Sequence, residues 1–370
     1  MELSTFPEDF SAGFAVLVGR PNAGKSTLTN ALVGQKIAIT SNRPQTTRHT
    51  IRGIVHKDNF QLILVDTPGL HRPRTLLGER LNDMVAQTLS EVDVIGFCIP
   101  ADEKIGPGDR YIASQIAAVG HKPIVAIVTK ADKVSSAELA EHLLAVQALG
   151  EEVMSAERAQ RTQRAQWRTQ STHKKNTTED LPFRKNSGPA AQREKARRRG
   201  QDFQLNAPIV DGQGGWASII PVSAVQDYQV DQLAELFSTF LPDSPPLYPE
   251  GELTDEPEVT LVAELIREAA LEGVRDELPH SVAVTVEEMQ AREGRPENNP
   301  LVDIHVNLFV ERPSQKAIII GKGGSRLREI GAESRKNIEA LLGTKVYLDI
   351  HVKVAKDWQR DPRALGRLGF

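Results

Sequence analysis

A glycine-rich octapeptide near the N-terminus has the residue types and spacing of a phosphate-binding loop. It consists of Gly19-Arg20-Pro21-Asn22-Ala23-Gly24-Lys25-Ser26, in which two glycines separated by four residues precede lysine and serine. The apolar run at residues 14–18 and the helical apolar spacing of residues 27–33 indicate that the loop joins a strand to a helix. Backbone N–H groups in such a loop, together with the positive end of the helix, bind phosphate groups. The octapeptide therefore predicts a nucleoside triphosphate site.

The residue types in the loop also predict individual roles. Lys25 would contact the β- and γ-phosphates, and the Ser26 hydroxyl would ligate Mg²⁺. A glycine-rich turn that binds nothing is the alternative, and the flanking strand and helix argue against it. The nucleotide-binding residues predicted in this stretch are Gly19, Asn22, Ala23, Gly24, Lys25, Ser26 and Thr27.

A second motif, Asp66-Thr67-Pro68-Gly69, ends an apolar strand predicted over residues 62–66. Asp66 can hold the Mg²⁺ shell there, and the Gly69 N–H can sense the γ-phosphate. The polar segment 45–48 lies between the two motifs, and a threonine in it would complete the Mg²⁺ sphere only when γ-phosphate is bound. We predict Thr47 as that ligand, and Thr46 stays open. The predicted catalytic group is Lys25, Thr47, Asp66 and Gly69, and the predicted metal ligands are Ser26, Thr47 and Asp66.

Two further strand ends predict which base is bound. The Asp132 carboxylate, in Thr129-Lys130-Ala131-Asp132, can accept from both the N1–H and the 2-amino group of guanine, which adenine does not offer. Lys130 would lay its aliphatic stem over the ring, and the pair Ser223-Ala224 could present a backbone N–H to the guanine oxygen. Each pattern alone is common on protein surfaces, but the series at successive strand ends favours guanine. The predicted base-site residues are Thr129, Lys130, Asp132, Ser223 and Ala224.

Composition limits the remaining possibilities. A chain of 370 residues with 39% hydrophobic and 25% charged residues is typical of a soluble globular protein with two domains. The single cysteine, Cys98, lies in an apolar run and reads as a buried hydrophobe, which fits a reducing cytoplasm. The N-terminus lacks a signal-peptide pattern, and no apolar stretch reaches the length of a membrane span. We expect a cytoplasmic protein, and a peripheral association with the inner face of the cell membrane stays open.

Residues 13–241, after a loose tail at 1–12, alternate strand-like and helix-like segments. This pattern predicts a mostly parallel, doubly wound α/β sheet with its ligand at the carboxyl ends of the strands. Residues 155–215 interrupt it with few apolar residues, and residues 155–200 carry thirteen basic and four acidic residues. We interpret this segment as a disordered or weakly helical insert, either a solvated loop without a role or an arm that attracts RNA.

A second domain is predicted after a stiff, proline-rich linker at residues 242–256. Residues 257–370 read as an α+β unit in which Gly321-Lys322-Gly323-Gly324 joins two helices beside a three-stranded sheet. That arrangement is typical of KH modules, which hold the backbone of single-stranded nucleic acid. The apolar residues Ile319, Ile320, Leu327 and Ile330 would line a base groove, or simply form the core. The predicted RNA contacts are Lys316, Gly321, Lys322, Gly323, Gly324, Arg326 and Arg328.

Together these motifs resemble those of the Era family of translation-factor-type GTPases. The resemblance rests on the phosphate loop, residues 45–49, residues 66–71 and the C-terminal segment 358–370, and it covers nearly the whole chain outside 155–215. It implies a P-loop GTPase domain followed by a type II KH domain, with the 3′ end of small-subunit ribosomal RNA as target. The implied function is a GTP-hydrolysing switch in assembly of a 30S-type subunit. The alternative is a catalytically weak RNA-binding scaffold with a mainly structural nucleotide site. No DNA partner is expected.

Two features depart from the family pattern, the basic insert and Thr129. The family usually has asparagine at the latter position, where its amide braces the phosphate loop, so looser nucleotide binding is expected. Leu70 follows Gly69 where many small GTPases have a water-orienting glutamine. The resemblance therefore implies slow hydrolysis, with water held by backbone groups or by a monovalent cation. Asn22 lies where similar GTPases bind K⁺. The expected cofactors are GTP or GDP and Mg²⁺, with K⁺ left open.

Overall fold

The computed structural model describes residues 7, 9–40, 51–69, 76–119, 122–173, 215–272, 281–296 and 298–368. Up to residue 241 the described chain is built on a six-stranded sheet with the order β2-β3-β1-β4-β5-β6. Neighbouring strands are parallel except that β2 runs antiparallel to β3. This confirms the mostly parallel sheet. The strands are β1 (Ser11–Gly19), β2 (Ile51–Lys57), β3 (Phe60–Asp66), β4 (Val94–Pro100), β5 (Ile124–Thr129) and β6 (Ser218–Pro221).

Helices cover both faces of the sheet, as continuous apolar strands require. Val16 and Val18 of β1 face a core shared with α2, α3 and α4, whereas Ala15 and Leu17 face a core shared with α1 and α5. Cys98 is fully buried in the second core, and burial raises the pKa of its thiol to about 12. The helices are α1 (Lys25–Val33), α2 (Leu76–Glu91), α3 (Pro107–Ala118), α4 (Ser136–His173) and α5 (Val230–Ser238).

The helix α4 extends into the segment interpreted as a disordered or weakly helical insert. The backbone is helical to His173, which agrees with the helical alternative over residues 155–173, and residues 174–214 lie outside the described residues. The chain rejoins the sheet at Trp216, whose ring is buried beside Phe97 and whose Nε1 donates to the Val146 carbonyl at 2.8 Å. The α4 residues that pack on the core run up to Met154, and the helix continues beyond them, where no apolar periodicity marks its end.

The linker at residues 242–256 is fastened to the edge of the sheet. The buried side chain of Gln61 accepts from the N–H of Leu247 and donates to the Tyr248 carbonyl, at 2.7 and 2.8 Å. The backbone N–H of Ile54 in β2 donates to the Leu253 carbonyl at 2.9 Å. Because β2 would otherwise present an open strand edge, the linker both covers that edge and fixes its own path.

The second half of the chain is a three-stranded sheet with the order β7-β8-β9, in which β7 and β8 are antiparallel and β8 and β9 are parallel. The order α–β–β–α–α–β is that of a type II KH domain, as predicted. Apolar residues of α6, α7 and α8 form its core against one face of the sheet. The elements are α6 (Glu258–Leu271), β7 (Ala283–Ala291), β8 (Leu301–Val310), α7 (Pro313–Ile320), α8 (Ser325–Leu342), β9 (Lys345–Val354) and α9 (Pro362–Arg367).

The two halves meet in an apolar cluster. Leu77 and Leu81 of α2 pack against Trp358, Leu365 and Leu368 from the C-terminal segment. Trp358 is fully buried. The helix that follows the Asp-Thr-Pro-Gly motif is therefore in direct contact with the KH half. Among the described residues, no helix combines the length and apolarity needed to cross a bilayer.

Candidate functional site

The phosphate loop turns between the end of β1 at Gly19 and the start of α1 at Lys25, with Gly24 as the N-cap of the helix. Asn22 is exposed and has a φ of +63°, whereas Ala23 is buried. The loop is therefore exposed at Asn22 and buried at Ala23, just before the helix begins. This is the geometry that the octapeptide predicts.

Lys25 is held inside the loop. Its side chain is only 6% exposed, and its Nζ donates to the carbonyl oxygens of Gly19 and Arg20 at 3.2 and 3.0 Å. Burial lowers the pKa of this ammonium, and the charge of the nearby, fully buried Asp66 opposes that shift. The lysine lies where its charge can be satisfied by an anion in the loop.

The second motif lies directly against the phosphate loop. Thr67 Oγ1 donates to the Leu17 carbonyl at 2.9 Å, which fixes the end of β3 beside β1. A Cβ on Gly69 would lie 2.8 Å from the Pro21 nitrogen, so only glycine allows this approach. Asp66 and Gly69 are therefore brought to the loop that carries Lys25, as predicted. Thr46, Thr47, Leu70 and His71 lie outside the described residues.

The oxygen donors at this point fit Mg²⁺. Ser26 lies in the first turn of α1, and Asp66 ends β3, the strand paired with β1. A hydroxyl and a carboxylate are hard oxygen ligands of the kind that hold Mg²⁺ beside substrate phosphates. A bound Mg²⁺ would neutralise charge on those phosphates.

Thr129 reaches the phosphate loop despite its short side chain. Its buried hydroxyl donates to the Ala23 carbonyl at 2.7 Å. Thr129 ends β5, and Ala23 lies in the loop that follows β1. The sequence predicts a loosened brace at this position, whereas the structure retains a brace, made by a hydroxyl in place of an amide.

The residues predicted to read the base are held by the turn after β6. The Ser223 hydroxyl donates to Asp132 Oδ1 at 2.6 Å, and the Ala131 N–H donates to the Val222 carbonyl at 3.1 Å. The Ser223 N–H donates to the Tyr228 carbonyl at 3.1 Å. Ser223 therefore orients the carboxylate that would read guanine. Of the predicted pair, Ala224 is the candidate donor to the guanine oxygen.

Three acidic residues that the sequence did not reveal pair with basic residues of this site. Asp102, Glu103 and Asp109 form ion pairs with Arg20 of the phosphate loop and Lys130 of the base-reading turn. Only Asp109 carried a signal in the sequence, because it shares a helix face with Ile112, Ala113 and Ile116. A carboxylate at an apolar position of a helix indicates a buried partner.

The loop at Gly321–Gly324 joins α7 to α8 as predicted. Gly321, Gly323 and Gly324 have φ values of +72°, +59° and +78°, in the region that favours glycine. Arg328 donates to the Gly323 carbonyl at 2.9 Å, and Arg326 donates to the carbonyls of Ala269 and Glu272 at the end of α6. The two arginines thus shape and anchor the loop. Lys322 is exposed.

The four apolar residues predicted to line a base groove or to form the core do contribute to the core. Ile319 and Ile330 are buried in the core of the KH half, and Ile320 and Leu327 are partly buried against it. Ile318 instead is 57% exposed. The helical phase of α7 was not fixed by three consecutive isoleucines, so the residue facing solvent could not be chosen from sequence.

Comparisons with known proteins match both halves. A family described as "50S ribosome-binding GTPase" matches residues 14–130, and the KH domain family matches residues 277–359. The GTPase Era of Streptomyces coelicolor is 58% identical over 359 residues, covering 97% of this chain and 95% of that protein. The GTPase Era of Mycolicibacterium smegmatis is 55% identical over 363 residues, covering 98% and 99%.

Solved structures agree over the same length. The crystal structure of Era in complex with MgGDPNP and nucleotides 1506–1542 of 16S ribosomal RNA has a TM-score of 0.74 and 30% identity. It covers 97% of this chain and 99% of that one. An Aquifex aeolicus Era variant bound to GDP·AlF4⁻ has the same TM-score, identity and coverage.

Replacing Thr129 by valine tests the brace on the phosphate loop. Thr129→Val keeps the shape but leaves the buried Ala23 carbonyl without its donor, so we expect the affinity for GDP to fall about tenfold. Titration with a fluorescent GDP measures this. Thr129→Ser, which keeps the hydroxyl, is the matched control and should bind as the parent does. Equal affinity of the valine variant and the parent would contradict the brace.

Proposed function

The chain belongs to the Era family of GTPases, and from that premise we propose that it is a switch that couples GTP hydrolysis to binding of small-subunit ribosomal RNA. The observation that carries the proposal is the convergence of Lys25, Asp66 and Gly69 on one loop in a chain that also carries a KH loop. Its task would be assembly of the small ribosomal subunit.

The small subunit is favoured over the large one named in the family description. That description matches the GTPase half alone, whereas the relative solved with 16S ribosomal RNA covers both halves of this chain. The KH half is the part that would contact RNA. We therefore assign the 3′ region of 16S ribosomal RNA as the partner.

The roles we propose in the nucleotide site follow from position. Lys25 would bind the β- and γ-phosphates, with Ser26, Asp66 and Thr47 around Mg²⁺. Gly69 would donate its N–H to the γ-phosphate, because its backbone lies directly against Pro21 of the phosphate loop. In the base site, Asp132 would accept from guanine, Lys130 would cover the ring, and Ala224 would donate to the guanine oxygen.

We propose the domain division at residues 1–12, 13–241, 242–256 and 257–370, with the insert at 155–215 inside the second of these. The cytoplasm is the proposed location, and the peripheral membrane association stays a prediction. The role of the basic insert also stays a prediction, since most of it lies outside the described residues.

Turnover and RNA binding separate the switch from the scaffold alternative. Lys25→Ala removes the cation that would contact the transferred phosphate, so we expect GTP turnover to fall at least a hundredfold with RNA binding retained.

Lys322→Asp with Gly323→Asp places two carboxylates at the proposed contact with the RNA backbone, so we expect RNA affinity to fall more than tenfold with turnover retained. The RNA is the 1506–1542 fragment, with an unrelated RNA of equal length as control. A parent turnover no higher than that of Lys25→Ala favours the scaffold.

We propose that Asn22 binds K⁺ between the phosphates. Its exposed position at the apex of the phosphate loop would let its amide oxygen reach a cation there. We expect faster GTP hydrolysis in K⁺ than in Na⁺ at equal ionic strength, and Asn22→Ala should remove the difference. Equal rates for the parent protein in the two salts contradict the assignment.

The contacts flanking residues 41–50 offer a route from nucleotide to RNA. Before this segment, the N–H and hydroxyl of Thr40 donate to Glu268 Oε1 at 2.8 and 3.1 Å, and Lys36 Nζ lies 2.6 Å from Oε2. After it, Arg52 donates to Asp255 at 2.9 Å. Thr47, the proposed γ-phosphate sensor, lies between these anchors in sequence. We therefore propose that the nucleotide state shifts α6, which carries Glu268.

Replacing Glu268 tests this coupling. In the parent we expect RNA affinity to differ at least fivefold between the GDP and GTP-analogue forms, within the usual range of coupling energies. Glu268→Ala removes the anchor on Thr40 and Lys36, so that ratio should fall toward one while GDP affinity is unchanged. Glu258→Gln, an exposed carboxylate on the same helix, is the control. Equal RNA affinity for both nucleotide forms of the parent refutes the coupling.

A further inference from the structure

One carboxylate joins the two halves of the nucleotide site. Glu103 lies between β4 and α3, and its Oε2 is 3.0 Å from the NH1 group of Arg20 in the phosphate loop. Its Oε1 is 3.5 Å from the Nζ of Lys130 in the base-reading turn. A single side chain therefore spans the loop that receives the phosphates and the turn that receives the base.

Asp109 forms a second ion pair with Arg20, from a fully buried position. It is fully buried in the first turn of α3, where its Oδ1 accepts from Arg20 Nε at 2.7 Å and its Oδ2 accepts from the Gly106 N–H at 2.8 Å. Burial alone would lower the pKa of Arg20, but Asp109 and Glu103 together raise it. A buried carboxylate with both oxygens engaged is a firm anchor, because removing one partner leaves an uncompensated charge.

Lys130 is fixed in a matching way. Its backbone has a φ of +58°, and its ammonium lies 3.2 Å from Asp102 as well as within reach of Glu103. The ammonium is thereby held at the β4–α3 segment, which leaves the aliphatic stem to meet the base. Lys133 adds a second, longer pair to Asp102 at 3.5 Å.

We propose that Glu103 and Asp109 are positioning residues for the guanine nucleotide. Neither is placed to touch it; they act through Arg20 and Lys130, by holding the phosphate loop and the base-reading turn at a fixed separation before binding. A bound nucleotide would contact both the phosphate loop and the base-reading turn. Ordering either of them on binding costs free energy and therefore lowers the affinity for the nucleotide. The Thr129 hydroxyl links the same two parts at the base of the loop. Loss of Glu103 should therefore weaken nucleotide binding without abolishing it.

The test compares nucleotide release from Glu103→Gln and from Glu152→Gln. Glu152 pairs with Arg110, which is adjacent to Asp109 on α3, so its loss perturbs the same helix without touching the bridge. We expect Glu103→Gln to release fluorescent GDP about three- to fivefold faster, the size of a partly exposed ion-pair effect. The Glu152→Gln rate and the unfolding midpoints of both variants should match the parent. Steady-state kinetics should show a raised KM for GTP with an unchanged kcat, because uniform binding is lost.

Asp109→Asn is a second variant with a larger expected acceleration, measured only where its unfolding midpoint shows a folded protein. Because Glu103 is 44% exposed in its side chain, Glu103→Gln keeps the proposal testable even if Asp109→Asn does not fold. An unchanged release rate in Glu103→Gln, or an equal acceleration in Glu152→Gln, would overturn the proposal. So would a lowered kcat at unchanged KM, since that result places Glu103 in the chemical step.

Discussion

The nucleotide site depends on how closely the ends of β3 and β5 approach the phosphate loop. Gly69 leaves no room for a Cβ beside Pro21, and the Thr129 hydroxyl lies 2.7 Å from the Ala23 carbonyl. These two contacts come from β3 and β5, on opposite sides of the loop in the sheet order. Because the sheet register fixes both strand ends, the parts proposed to contact phosphate, metal and base cannot move independently. Preorganisation of this kind is what makes an electrostatic site effective.

The helix α6 links this site to the KH loop. Glu268 on α6 holds Thr40, while the carbonyl of the next residue, Ala269, accepts from Arg326 at 3.3 Å beside Gly321–Gly324. Two consecutive residues of α6 therefore make these contacts. Glu268 contacts Thr40, which precedes the segment that carries Thr47, and Ala269 contacts Arg326, which anchors the proposed RNA-binding loop. Contacts through one helix do not by themselves couple the two sites. The helix must have two positions that the nucleotide and the RNA favour differently. In the proposed switch, α6 is that two-position element.

Residues whose position is set by a strand end could be placed from sequence, and residues whose contacts depend on a distant partner could not. Asp66 ends β3, and Lys25 and Asp132 lie within a few residues of the ends of β1 and β5, so strand order alone brings the three to one edge of the sheet. The pairing of Arg20 with Asp109 spans 89 positions, and although Asp109 lies on an apolar helix face, nothing local identifies Arg20 as its partner. The exposure of Ile318 beside the buried Ile319 could not be predicted, because helical phase is undetermined in a short apolar run. The helix α4 continues past Met154, the last of its residues described as packed on the core, and no apolar periodicity marks its end.

The two proposed phosphate-contacting loops share one design, although they lie in unrelated folds. In the first, Lys25 donates to the carbonyls of Gly19 and Arg20; in the second, Arg328 donates to those of Gly323 and Gly324. Because the peptide unit is planar, a cation that holds its carbonyl also fixes the orientation of the whole unit. In each loop, a cation of the chain's own thus arranges the backbone on which phosphate binding would depend.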